Sequence, residues 1–257
     1  MSKQKKKKPA ELGSFGVIVW AVVILAAIVG TVLLCSGIGT PDPNTDHTNV
    51  ATGTFAPVDP DPTVKIEDLQ DVQISTEKSL VITDIGSYSG IYMEDGSDAV
   101  LSRILMVVVK NTGSRTVQYA EVELTDGEKT ACFTLSTLPP GESAVLLEKN
   151  RMPYAEGKEL TEAKVKNVAM FPTEPTLCQD QLKIQGLDGV LNVTNISGKD
   201  IAGDVVIYYK NASSDMLYGG ITYRITITGG IKADEVKQIV ASHFSAKGSR
   251  IMWVTVA

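Results

Sequence analysis

Histidine is nearly absent from this 257-residue chain: only His47 and His243 occur, far apart. With no H-x-x-x-H and no C-x-x-C pair, the ligand spacing of a zinc site is missing. There is no G-x-S-x-G elbow, no Walker A loop and no G-x-G-x-x-G, which removes the commonest routes to hydrolase, nucleotide and dinucleotide chemistry. The glycine pairs of "GGITYR" and "TGGIKAD" read as turns, because no helix follows to present its N-terminus to a phosphate. Positive charge is also scarce beyond the N-terminus. Lys3, Lys5, Lys6, Lys7 and Lys8 precede Leu12, and the remainder holds 19 basic against 29 acidic side chains. An acidic body argues against nucleic acid as a partner, since phosphate binding needs a basic face. No cofactor and no resident metal are expected. An enzyme is the remote alternative, for want of a nucleophile–base or carboxylate pair within a supporting motif.

What the chain does have begins with "GSFGVIVWAVVILAAIVGTVLLCSGIG", a stretch without one charged residue. About 20 apolar residues at ~1.5 Å rise cross a ~30 Å hydrocarbon core, and Phe15 to Leu34 supplies that length. Lysines before it and Asp42 and Asp46 after it orient the helix with its N-terminus in the cytoplasm. The expectation is a single-pass membrane protein: a short basic tail over 1–14, a transmembrane helix over 15–38, and everything beyond outside the cell. A tail this short cannot fold alone, so an internal signalling domain is excluded. Three other readings compete with the retained anchor: a cleaved signal peptide, for which no good small-x-small site follows; a lipoprotein, for which Leu34 is the wrong residue before Cys35; and a buried helix, which leaves the lysine block unexplained.

Residues 39–71 are rich in Pro, Thr and Asp, carry seven acids and one lysine between Thr40 and Asp71, and read as an extended acidic linker. From Val72 the pattern becomes alternation. "SLVIT", "RILMVVVKN", "VQYAEVEL", "TACFTLS" and "SAVLLEKN" are short runs bounded by turn residues, and "TEAKVKNVAM" closes the series. That is the signature of antiparallel strands in a sandwich. "QLKIQ", "GVLNVTN", "GGITYRITITGG", "ADEVKQIVAS" and "SRIMWVTV" repeat the order. In "ITYRITI", Ile221, Tyr223, Ile225 and Ile227 share one face.

The two halves also share a motif. "VVVKNTGSRTVQYAEVEL" and "LNVTNISGKDIAGDVVIYY" align at an offset of 84, matching Asn111 with Asn195, Arg115 with Lys199, Val117 with Ile201 and Val122 with Val206. Each copy reads as a hairpin whose Asn, Gly and Ser suit a tight turn. The fold expected is therefore mostly β: two tandem antiparallel sandwiches, over 72–174 and 175–257, joined near the prolines of "FPTEPTLC". The stretch "VVVKNTGSRTVQYAEVELTDG" resembles the extracytoplasmic Ig-like modules of Gram-positive envelope proteins, the FxLYD type and its CARDB-like relatives. It keeps Leu124 and Asp126 of that signature, and the second copy reads "VIYYKN". The resemblance implies non-catalytic domains that mediate assembly or binding.

Several residues stand out as candidates. Cys132 sits on the polar side of "TACFTLS" and Cys178 in the junction; in an oxidising exterior they either bridge or remain free thiols. Cys35, at the membrane edge, is left free or acylated. The insertion "GSYSGIYMEDGSD" belongs to the first half alone. Tyr88, Tyr92, Glu94, Asp95 and Asp98 make it a candidate binding loop, with packing of its apolar residues as the competing reading; its three acids could also hold calcium. Tyr208 and Tyr218 are candidates for an exposed aromatic surface, whereas parity turns Tyr209 and Tyr223 inward. The sequons at Asn192, Asn195 and Asn211 are taken as chance. The role expected is binding or scaffolding in the envelope: an accessory subunit docking on another envelope protein, or else a cell-wall or glycan-binding adhesin.

Overall fold

The computed structural model describes residues 64–125, 129–157, 162–213 and 215–257. The expected membrane segment, the cytoplasmic tail and most of the acidic linker lie outside the described residues. Among the described residues no helix is long and apolar enough to cross a membrane. The chain from 64 onward is built from strands. They are β1 (Lys65–Ser75), β2 (Leu80–Ile91), β3 (Val100–Asn111), β4 (Val117–Thr125), β5 (Thr130–Leu138), β6 (Ser143–Leu147) and β7 (Glu162–Met170), then β8 (Leu182–Leu187), β9 (Val190–Asn195), β10 (Val205–Ala212), β11 (Leu217–Ile227), β12 (Val236–Val240) and β13 (Ser249–Val256).

The period-2 pattern explains these elements. In β5 the side chains of Ala131, Phe133 and Leu135 are buried while Cys132 and Thr134 lie on the other side. In β9 Leu191 and Val193 are buried and Val190, Asn192 and Thr194 face outward. Strand order shows the duplication in three dimensions. One repeat contains the sheets β2-β3-β6 and β5-β4-β7; the other contains β8-β9-β12 and β11-β10-β13, in the same sequence of positions. A core of Ile82, Val107, Val109, Val122, Phe133, Leu135 and Leu146 fills the first repeat, and one of Leu191, Val193, Val205, Ile207, Tyr209 and Val254 fills the second.

The matching motif is not a hairpin. β3 pairs with β2 and β6, whereas β4 pairs with β5 and β7, so the chain crosses from one sheet to the other at "NTGSR"; β9 and β10 do the same at "NISGK". The asparagine makes this corner. Asn111 is fully buried; its Nδ2 donates to the carbonyls of Arg115 and Leu138, both at 2.9 Å, and its Oδ1 accepts from Gly113 N. Asn195 repeats each bond, donating to Lys199 O at 2.7 Å and Ile231 O at 3.0 Å and accepting from Ser197 N. Each amide thereby latches two turns together; at the second corner it adds to carbonyls that other donors already reach, Ile201 N for Ile231 O and Ser197 Oγ for Lys199 O. Burial also removes Asn195 as a glycosylation acceptor.

Two further boundaries differ from expectation. The last residues assigned to the linker form the start of β1, which pairs antiparallel with β2; Ile66, Val72 and Ile74 are half-buried against the core, while Glu67, Asp68 and Asp71 stay exposed. A strand held by main-chain bonds on one side only needs no apolar alternation, so its composition reads as linker. The repeats are also not beads on a string. β6 and β11 pair in parallel, Leu217 opposite Ala144 and Tyr218 opposite Val145, so that β1-β2-β3-β6-β11-β10-β13 is one seven-stranded sheet running through both.

Candidate interaction surface

The insertion of the first repeat is where the two halves become unequal. Tyr88, Tyr92 and Met93 are buried, and they pack with Ile104, Met106, Val108, Val145 and Leu147 in a third apolar cluster on the outer face of β2-β3-β6. Met216 and Tyr218, from the second repeat, close over the same cluster. The hydroxyl of Tyr92 donates to the carbonyls of Glu148 and Lys149, and that of Tyr88 to Ile91 O. The loop's partner is thus its own molecule, and Tyr88, Tyr92 and Tyr218 serve packing rather than an exposed surface.

Glu94 anchors the joint between repeats. Its carboxylate accepts from Leu147 N of β6 at 2.9 Å and from Gly220 N of β11 at 2.7 Å, one bond on each side of the parallel pairing. The carboxyl group is enclosed, and burial pushes its pKa up to about 7 against the pull of the two amides and Lys210. Lys210, fully buried on β10, donates from Nζ to Ser136 O of β5 at 2.9 Å; burial pushes it down to about 7, with the Glu94 charge opposing. At Gly220 the backbones of β5 and β11 touch: a Cβ there would lie 1.8 Å from Thr134 O. Ser136 Oγ donates to Gly220 O across the same contact at 2.6 Å. The "GG" of "GGITYR" therefore belongs to a strand crossing rather than a turn.

The acids do not form a shared cation site. Glu94 is taken by the joint, Asp95 pairs with Arg151 at 2.7 Å, and Asp98 lies 3.4 Å from His243 of the second repeat. Cys132 and Cys178 are both free. Cys132 lies opposite Glu123 in the β4–β5 pairing, where burial and that carboxylate push its thiol up; Cys178 packs on the second core, its Sγ 3.5 Å from Val254 O. The bridge weighed from the sequence is not formed: the first half of the junction is held to the first repeat, Glu174 accepting from Thr116 N and Oγ1, while Cys178 at its far end packs on the core of the second. Tyr208 is stacked on Trp253 at 3.6 Å, and Trp253 meets Phe171 edge-on at 5.1 Å, so one face of the tyrosine is occupied. Sequence reading overlooked Glu148, which is fully buried and accepts from the amides of Cys132, Asn150 and Met152.

In the second repeat the counterpart of the covered face is bare among the described residues. No insertion separates β8 from β9; a two-residue turn, Asp188 and Gly189, joins them. The outer face of β8-β9-β12 has three cross-strand rows: Lys183, Thr194 and Val236; Gln185, Asn192 and Gln238; Leu187, Val190 and Val240. Gln238 Nε2 donates to Asn192 Oδ1 at 3.1 Å within the middle row. The third row is apolar and open to solvent, with Leu187 53% and Val240 76% exposed; Val236 is 59% exposed. One charge among nine outward positions is sparse for a solvated sheet and suits contact with another surface. No family model, no curated protein and no solved structure matches this chain.

Proposed function

We propose that this chain is a non-catalytic, membrane-anchored binding and scaffolding protein of the cell envelope. In this reading an N-terminal anchor and acidic linker carry two fused Ig-like modules, and the protein docks as an accessory subunit on another envelope protein. The observation that carries it is the inequality of the repeats: the same sheet face is sealed in the first and left open, apolar and nearly uncharged in the second. A buried latch at each corner and a shared sheet make the pair a stiff platform for that face. The test is crosslinking co-purification of the full chain from intact native cells, with an anchor-deleted control and a Leu187→Glu/Val240→Glu variant. Recovery of one envelope protein in fixed ratio, lost in the face variant, is the expected result; unchanged recovery by the variant rejects this face as the site. The second reading, a wall- or glycan-binding adhesin, rests on the cross-strand row Arg224, Tyr208 and Trp253. Recovery of wall glycan in place of a protein supports it.

A further inference from the structure

Beyond the face, the edge of the same sheet has a partner that its own sequence specifies. We infer that β12 pairs antiparallel with β12 of a second copy about a two-fold axis at Gln238. Free strand edges invite pairing, and proteins blunt them with charge, bulges or cover. The other edges here carry such devices. β1 has Glu67, Asp68 and Asp71 and two register shifts. β7 presents Glu162, Lys164 and Lys166, with shifts in its own register. β5 is covered by Lys149, whose N–H donates to Cys132 O, and by the β11 crossing. β13 is capped where Val254 N donates to Thr176 O. β8 shows Lys183 and is flanked by Asp180 and Asp188.

Among the described residues β12 has no bulge and no cover, and its one charge, Lys237, is bound inside the molecule. Its register with β9 runs unbroken from Val236 to Val240. Its neighbouring charges are engaged inside the molecule: Lys237 Nζ donates to Gly230 O at 2.6 Å, and Glu235 accepts from Lys232 N at 2.7 Å. Ala241 N donates to Gly189 O, which fixes the phase of the ladder. Lys237, Ile239 and Ala241 turn their backbone groups to β9, so Val236, Gln238 and Val240 turn theirs outward. The matching strand of the first repeat, β6, already accepts an added strand, β11, so this position in the module tolerates sheet extension.

A second copy fits this edge by symmetry. Antiparallel pairing centred on Gln238 sets Val236 opposite Val240 of the other copy, twice, and Gln238 opposite itself. All three positions are of the hydrogen-bonded kind, giving about six inter-chain bonds. On the outer face the middle rows merge into an amide ladder, Gln185, Asn192 and Gln238 continuing into their mates, and no like charges meet. The two bare faces become one six-stranded surface, twice the area offered by a single chain.

The experiment is sedimentation of the full chain in detergent, wild type beside Gln238→Lys and Gln238→Glu. The expected result is a wild-type dimer. Each charge variant, placing like charges opposite on the axis, dimerises at least about tenfold more weakly, and an equimolar mixture of the two recovers the dimer. Gln238 is exposed, so neither variant threatens the fold. A wild-type chain that stays monomeric at about 100 μM, or charge variants that sediment as wild type does, overturns the inference. The outcome separates from the proposed function: a monomer that still captures an envelope partner ends self-pairing alone, and a dimer that captures none ends the docking reading alone.

Discussion

The two repeats share six strand positions, one corner motif and one type of core, yet their outer faces have opposite fates. In the first, Tyr92 and Met93 fold back from the insertion, and Met216 and Tyr218 arrive from the neighbouring repeat, to bury Met106, Val108, Val145 and Leu147. In the second, the matching strands carry Thr194, Asn192, Gln185 and Gln238 outward, with Leu187 and Val240 left uncovered at one end. A duplicated module thus acquires two surfaces from one insertion: the repeat that has it seals its outer face, and the repeat that lacks it leaves the matching face open among the described residues.

The comparison breaks most severely at the joint. Glu94→Leu removes the acceptor of two backbone amides and leaves Lys210 buried without its counter-charge. Losing one side of a buried pair costs about 3–5 kcal/mol, so the urea midpoint falls sharply. Glu94→Leu with Lys210→Met, which removes both charges, recovers much of that loss. A single variant within about 1 kcal/mol of wild type would mean that the joint does not hold the repeats together.

The corner asparagines test how alike the repeats are. Asn111→Ala removes the donor to Arg115 O and Leu138 O and the acceptor of Gly113 N, at about 2–3 kcal/mol; Asn195→Ala costs less, because Lys199 O, Ile231 O and Lys232 O keep Ser197 Oγ, Ile201 N and Glu235 N as donors. Chemical denaturation of both variants checks this, with the larger loss expected at Asn111. If only one costs stability, the resemblance of the two corners is geometric without being energetic.

A smaller effect follows from protonation of the joint. Folded Glu94 keeps its proton to about pH 7, whereas the unfolded chain releases it near 4.5. The folded state binds more protons in that window, so stability falls as pH rises through it. Lys210 releases its proton near 7 when folded and near 10.5 when unfolded, so stability rises again above neutrality. The expected profile of urea midpoint against pH has a minimum near neutrality, which the Glu94→Leu/Lys210→Met variant flattens. The smallest effect is on the bare face: Val240→Thr changes stability by less than about 0.5 kcal/mol, while weakening capture of a docked partner.

Much of the architecture was legible because strand signals are local. Alternation in "TACFTLS" and "ITYRITI" assigned inward and outward faces that hold in the folded chain, and the repeat offset pointed to two copies of one module. The corner was misread for a physical reason: a hairpin and a sheet-to-sheet crossing need the same turn residues, and only the pairing partners of β3 and β4 distinguish them. β1 was missed because an edge strand is secured by its backbone and carries linker-like side chains. The insertion's tyrosines looked available because nothing near them in the chain announces the apolar face they cover, 12 to 59 positions away.

The sequence by itself determined that this is a β-rich, acidic chain past its apolar N-terminal stretch, that a module occurs twice, and that an asparagine marks each corner. These follow from periodicity, charge and turn chemistry, which act over a few residues. Only the tertiary structure decided that the modules share a sheet, that Glu94 and Lys210 are buried within Coulombic reach of each other at the joint, and that one face is sealed while its twin is left open among the described residues. Those outcomes depend on contacts between segments about 50 to 130 residues apart, where burial, strand-edge pairing and desolvation act and no local pattern reaches.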